Sequence, residues 1–261
     1  MNIIAITNQK GGVGKTTTAV NLSAYLGDLG KSVLLIDSDT QGNATSGLGV
    51  SRKSINFSLY DILVNPSKIN DVIISTEFKN LKLIPSSYAL SKLDADFSDT
   101  QKPEYKLKNA LKCISEENLP DYVIIDCPPS INLLTINALV CSDYIIVPIQ
   151  CEYYALEGLS QLVNSVMQIK KLHNNSLEIL GILFTMYSKR LKLTMQVENE
   201  VKRCLKNKVF STTIPRTVRL SEAPSFGKPI LYFDKSSCGA KSYLDLTKEI
   251  LNKCEDRFIK V

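Results

Sequence analysis

The chain has one histidine, His173, in 261 residues. It stands at the end of an expected helix, in Lys170-Lys171-Leu172-His173-Asn174-Asn175. No Ser–His or Cys–His nucleophilic pair can be built around it. Long apolar runs are also missing: none reaches the ~18 residues that span a bilayer. The first residues, MNIIAITNQKGG, show no basic start, apolar stretch and small-residue cleavage site in series. These absences lead to the expectation of a cytoplasmic protein. No two of the seven cysteines are spaced C-x-x-C, and their number is odd. That argues against a disulfide framework or a zinc ribbon, and most of them are expected to be small apolar fillers. No Pro/Gly/Ser-rich tract, low-complexity run or internal repeat interrupts the chain, so one domain over residues 1–261 is expected. With 44% hydrophobic and 22% charged residues, a disordered chain or a collagen-like fibre is excluded.

Charge is unevenly distributed. Residues 1–150 hold 13 Lys+Arg against 15 Asp+Glu, whereas residues 186–241 hold 12 against 4. One face is therefore basic, which suits a polyanion, although scattered solvated lysines give the same count.

Apolar runs at 2–7, 32–37, 81–85, 122–126, 144–149 and 179–186 are rich in Val, Ile and Leu, with little alternation. Such runs indicate strands covered on both faces, hence a parallel sheet. Helical spacing at 16–29, 106–117, 133–141, 156–172, 195–205 and 243–257 alternates with them. The expected fold is α/β: a single doubly wound, mostly parallel sheet with helices on both faces. The less regular segment 51–99 is expected as a peripheral insertion of short helices and strands.

After the first strand comes Asn8-Gln9-Lys10-Gly11-Gly12-Val13-Gly14-Lys15-Thr16-Thr17. A strand, a glycine-rich turn and a helix in this order form a phosphate-binding loop. Glycines let successive N–H groups curl toward phosphate oxygens, and the helix N-terminus adds its dipole. Lys15 is placed for the β- and γ-phosphates, and the Thr16 hydroxyl for Mg²⁺. The general form G-x-x-x-x-G-K-[ST] would put a glycine at position 9. Gln9 stands there, and a second lysine, Lys10, opens the loop. Asp37 and Asp39 end the second strand, where carboxylates face the ligand crevice of such a sheet. Asp126, after four apolar residues, can hold Mg²⁺ through a water. Either of Asp39 and Asp126 could instead be a plain cap residue.

The K-G-G-x-G-K-T loop resembles the deviant Walker A of the ParA/MinD group, a branch of the P-loop NTPases. The stretch from Ile214 through Pro215, Arg216, Thr217, Val218, Arg219 and Leu220 to Ile230 resembles the Soj pattern of partitioning ATPases. The resemblance covers essentially the whole chain and implies an ATPase with ATP and Mg²⁺ as cofactors. It implies a nucleotide site of Lys10, Gly11, Gly12, Val13, Gly14, Lys15, Thr16 and Thr17, with metal contacts from Thr16, Asp37 and Asp126. By resemblance, Asp39 positions the attacking water, with Lys10 and Lys15 completing the catalytic set. Lys10 is implied to reach the nucleotide of a second subunit, and Glu152 matches a position that touches nucleotide across that dimer; a surface glutamate reads as well. Met186 and Pro215 match loops that flank adenine, though an apolar strand end serves equally. Arg216 and Arg219 match positions that bind DNA without sequence preference, and Lys189, Arg190, Lys228 and Lys241 are further candidates. The family usually has D-P-Q where this chain has Asp39-Thr40-Gln41; losing the ring frees φ at that position. The implied partners are a second copy of the chain, double-stranded DNA and a ParB-type centromere-binding protein, with nucleoid association and no membrane. The competing readings are a MinD-like membrane ATPase and a small-molecule synthase. The first requires a C-terminal amphipathic helix, and acidic residues in 243–261 disfavour it. The second leaves the basic part without a role.

Overall fold

The structure is a computed structural model and describes residues 1–153 and 155–255. Seven strands form one sheet: β1 (Asn2–Ile6), β2 (Val33–Asp37), β3 (Ile74–Ser75), β4 (Leu81–Ile84), β5 (Tyr122–Asp126), β6 (Tyr144–Gln150) and β7 (Glu178–Thr185). Their spatial order is β3-β4-β2-β5-β1-β6-β7. Every pairing is parallel except β3 with β4. The helices are α1 (Lys15–Asp28), α2 (Asn43–Gly47), α3 (Leu59–Val64), α4 (Ile69–Val72), α5 (Leu93–Asp96) and α6 (Lys106–Leu111). They continue with α7 (Leu133–Cys141), α8 (Ala155–Leu172), α9 (Lys192–Cys204), α10 (Val218–Glu222), α11 (Ile230–Phe233) and α12 (Cys238–Glu255).

Successive side chains of the central strands feed two separate cores. Ile3, Ala5, Leu34, Ile36, Val123, Ile125, Ile145 and Val147 pack on one face with α3, α6, α7, α8 and α9. Ile4, Ile6, Val33, Leu35, Tyr122, Ile124, Tyr144 and Ile146 pack on the other with α1 and α12. The period of two is present, but both phases are apolar because both faces are covered.

Three expectations need correction. Residues 51–99 form short helices as expected, but they are not only peripheral. Besides β4, the strand expected at 81–85, they supply β3 to the sheet, and Leu59, Ile62, Leu63, Ile69 and Val72 to the core. The helix expected over 106–117 ends at Leu111. The helix expected over 243–257 begins at Cys238, and its last two residues lie outside the described residues. Of the cysteines, Cys127, Cys141 and Cys254 are buried and Cys151 half-buried against the core, so four of the seven are apolar fillers as expected, while Cys113, Cys204 and Cys238 are exposed.

Candidate active site

Parallel pairing brings the carboxyl ends of the strands to one edge. Ile6 of β1 and Asp37 of β2 are both register partners of Asp126 on β5. The loop that leaves β1 begins with an Asx turn, in which the Lys10 N–H donates to Asn8 Oδ1 at 3.0 Å. Gly12 and Gly14 take φ of 73° and 86°, a region costly for any side chain. Gly14 caps α1, whose first residue is Lys15. The loop is propped from β7: Thr185 Oγ1 donates to the Val13 carbonyl at 2.8 Å. Gln150, at the end of β6, donates to the Gly12 carbonyl at 3.3 Å.

A cavity of about 360 Å³ lies against this loop, lined by Gly11, Gly12, Gly14, Lys15, Thr16, Thr17, Asp39 and Gln41 among others. Lys15 is buried, and its Nζ donates to the Lys10 carbonyl at 3.0 Å. Burial holds its pKa below the usual lysine value, against the pull of Asp126, Cys127 and Asp39.

The three aspartates differ in what occupies them. Asp37 is fully buried, and its Oδ2 accepts from the Thr45 N–H and hydroxyl, each at 2.7 Å, while Oδ1 accepts from the Asp39 N–H at 3.2 Å. It anchors α2 to β2 and has no oxygen left idle; burial pushes its pKa up to about 6 despite those donors. Asp39 accepts from the Gln41 N–H at 2.9 Å and reaches the cavity. Asp126 is also fully buried, and neither of its carboxylate oxygens has a hydrogen-bond partner. Burial first, and the neighbouring Asp37 charge second, push its pKa well above the carboxylate range, against the pull of the Thr16 hydroxyl and Lys15, which lie beside it without a hydrogen bond of normal geometry. An orphaned buried carboxylate beside Thr16 and a phosphate loop is the donor set a hard, hydrated cation requires, so magnesium fits here. Of the expected metal residues, Asp126 is the one with free oxygens, and Asp37 acts on the backbone of α2.

Lys10 points away from its own loop. Its Nζ pairs with Glu152, with side-chain exposures of 44% and 53%, so the ammonium stands at the surface rather than in the cavity. Met186 takes φ 48°, and the Tyr187 N–H donates to the Ile214 carbonyl at 3.0 Å. This joins the two segments that carry Met186 and Pro215. Together with Gly14 and Thr17 they line a second cavity of about 340 Å³, which Arg216 also borders.

Lys189, Arg190, Arg216, Lys228 and Lys241 are exposed. Arg219 is exposed too, but not free. Its guanidinium pairs with Glu222 and Asp234, each at 3.1 Å, and lies over the Phe233 ring. Its local carboxylates compete with any phosphate. Lys228 borders a different cavity, beside Thr16, Thr17 and α2. Sequence reading missed Thr45, Ser86, Gln150, Thr185 and Arg52. Thr185 and Gln150 carry a usable signal, a polar residue closing an apolar strand at the ligand edge. Arg52, in a run of ordinary surface residues, carries none.

A family model described as "AAA domain" matches residues 1–179. The chain is 54% identical to the sporulation initiation inhibitor protein Soj of Bacillus subtilis (strain 168), over 95% of this chain and 97% of that protein. It is 45% identical to the chromosome-partitioning ATPase Soj of Treponema pallidum (strain Nichols), over 95% and 96%. Among solved structures it is similar to cobyrinic acid a,c-diamide synthase from Mycobacterium smegmatis with bound ATP analog and magnesium. That match has a TM-score of 0.85 and 31% identity, and covers 96% of this chain and 94% of the other. The motif, the sheet order and the full-length identity agree: the chain belongs to the ParA/Soj family of chromosome-partitioning ATPases.

Proposed function

We propose that the chain is an ATP-gated partitioning ATPase that dimerises with ATP, binds DNA without sequence preference as the dimer, and lets go on hydrolysis stimulated by a ParB-type partner. Its reaction is ATP plus water to ADP plus phosphate, with Mg²⁺. The Lys15 ammonium binds the β- and γ-phosphates, where its dry surroundings strengthen each charge pair. Asp126 and the Thr16 hydroxyl hold the magnesium, which when bound neutralises phosphate charge. Asp39 orients the attacking water. Lys10 reaches the nucleotide of the second subunit once it leaves Glu152.

One observation carries the coupling of nucleotide to DNA. The loops that border the nucleoside cavity are the loops that bear the basic residues. Lys189 and Arg190 follow Met186 by three and four residues, and Arg216 directly follows Pro215. A nucleotide that orders those loops orders the cations on them. Two subunits double the phosphate contacts, and each neutralised phosphate steepens the logarithmic salt dependence by about 0.9. Nucleoid association follows from the same surface.

The membrane reading gains no observation. No helix among the described residues is long and apolar enough to cross a bilayer. The apolar residues of α12 that an interfacial helix would need, Tyr243, Leu246 and Ile250, are buried in the core. Fluorescence anisotropy with a labelled duplex of arbitrary sequence tests the proposal. Binding with ATP, weaker binding with ADP and a steep loss with salt are expected. Equal affinity in all nucleotide states, or flotation with anionic liposomes in place of DNA binding, would refute it.

A further inference from the structure

Arg52 opens the short turn Arg52–Ser54, within the segment that carries no recognisable motif. Its guanidinium nonetheless reaches the loop that carries Asp39. One terminal nitrogen donates to the Gln41 carbonyl and the other to the Thr40 carbonyl, each at 2.7 Å. The guanidinium carbon lies 3.8 Å from the centroid of the Tyr88 ring. On the other side Gly42 makes room for it. Gly42 has φ 65°, and a Cβ there would stand 2.8 Å from Arg52 Nε. Two carbonyls, an aromatic ring and a residue without a side chain therefore define one position for one planar group.

This hold matters because of where the loop leads. The Asp39 carbonyl is secured by the Gly42 N–H at 2.9 Å and by the Ser86 hydroxyl. The next two carbonyls have Arg52 as their partner among the described residues. Thr40 does not restrict its own φ as a proline would, so the segment depends on a restraint from outside. A rigid fork matches two neighbouring carbonyls at once, whereas an ammonium supplies a point charge with no fixed plane. Arg52 does not line the phosphate cavity, but Asp39 and Gln41 do.

We propose that Arg52 is a positioning residue for hydrolysis: clamped against Tyr88, it fixes the Thr40 and Gln41 carbonyls and so holds the Asp39 carboxylate at the phosphate cavity. This rests on Asp39 being the group that orients water. Small displacements of a reacting group cost as much as about 100-fold in rate.

The test measures kcat for ATP hydrolysis, ATP affinity by calorimetry and thermal unfolding for the wild type, Arg52→Ala, Arg52→Lys and Asp39→Ala. Arg52→Ala should lower kcat by roughly 10- to 100-fold while ATP affinity stays within about twofold. Arg52→Lys should remain nearer to the alanine variant than to the wild type. Millimolar methylguanidinium should restore part of the rate to Arg52→Ala and none to Asp39→Ala. Three results would overturn the inference: Arg52→Ala with wild-type kcat, Arg52→Lys with wild-type kcat, or a slow Arg52→Ala that methylguanidinium does not rescue and that unfolds at lower temperature. Asp39→Ala with wild-type turnover would instead remove the reading beneath it, whatever Arg52 does.

Discussion

At Asp126 a carboxylate with no hydrogen-bond partner is fully buried, in register with a second buried carboxylate on the adjacent strand. Desolvation of such a charge costs several kcal/mol in proteins, and a like charge beside it adds to the cost. In the absence of metal the residue therefore destabilises the fold it belongs to. Asp126→Asn should raise the stability of the nucleotide-free protein by about 1 kcal/mol or more, which is roughly 2–4 °C in Tm for a chain of this size. The same variant should lose most Mg²⁺-dependent hydrolysis. Calorimetric scans beside an ATPase assay check both, and a lower Tm would mean that Asp126 is paired in solution. Lys15→Ala should abolish ATP binding in calorimetry, since the cavity loses the buried ammonium that faces the phosphates. At this scale the glycine turn that leads from β1 into α1 was legible, because the positive φ at Gly12 and Gly14 and the lysine that follows are local demands on local residues. The division of work between Asp37 and Asp126 was not. Spacing puts both at strand ends, and it is Thr45 of α2 that takes up one and leaves the other idle.

Helix α1 carries Gly27 one residue before its end, where helix propensity favours alanine by about 1 kcal/mol. The packing says the opposite. A Cβ at Gly27 would overlap the Lys79 carbonyl oxygen, in the turn between β3 and β4. That turn is tied to the helix end by Asn80 Nδ2 donating to the Gly27 carbonyl at 3.2 Å and Lys79 Nζ donating to the Asp28 carbonyl at 3.1 Å. Overpacking against backbone costs roughly 1–3 kcal/mol, so it outweighs the propensity gain. Gly27→Ala should lower Tm, and urea denaturation should show a reduced midpoint with an unchanged slope. A stabilised variant would show that the turn yields. Six of the seven strands were read from the sequence to within a residue at each end because their apolar runs coincide with the buried sheet; the two-residue edge strand β3, half-exposed and without such a run, was not. Helix ends set at a distance were not. The stop of α6 at Leu111 is made by Asn70, whose amide donates to the Cys113 carbonyl at 3.1 Å and whose oxygen accepts from the Ser115 N–H at 3.1 Å. No pattern within 106–117 announces it. The early start of α12 did carry a local sign, Ser237, whose hydroxyl accepts from the Ala240 N–H at 3.2 Å.

The whole molecule sets the nucleotide edge of the sheet beside the basic loops, while Lys10 stands outward on Glu152. Arg219 is held by Glu222 and Asp234, so the exposed cations at 189, 190 and 216 should dominate contact with DNA. Lys189→Glu with Arg216→Glu should remove DNA binding in anisotropy titrations and leave ATP affinity intact. Reversing Arg219 should cost less affinity than either. Unaltered binding by the double variant would move the surface elsewhere, to Lys228 or Lys241. The central claim is that ATP joins two subunits through Lys10. Sedimentation velocity of Asp39→Ala with ATP and Mg²⁺ tests it most directly, with the Lys10→Ala, Asp39→Ala double variant alongside. The account predicts a dimer for the first and an ATP-bound monomer for the second, with both monomeric in ADP. A dimer that survives loss of Lys10, or a monomer in both, would contradict it.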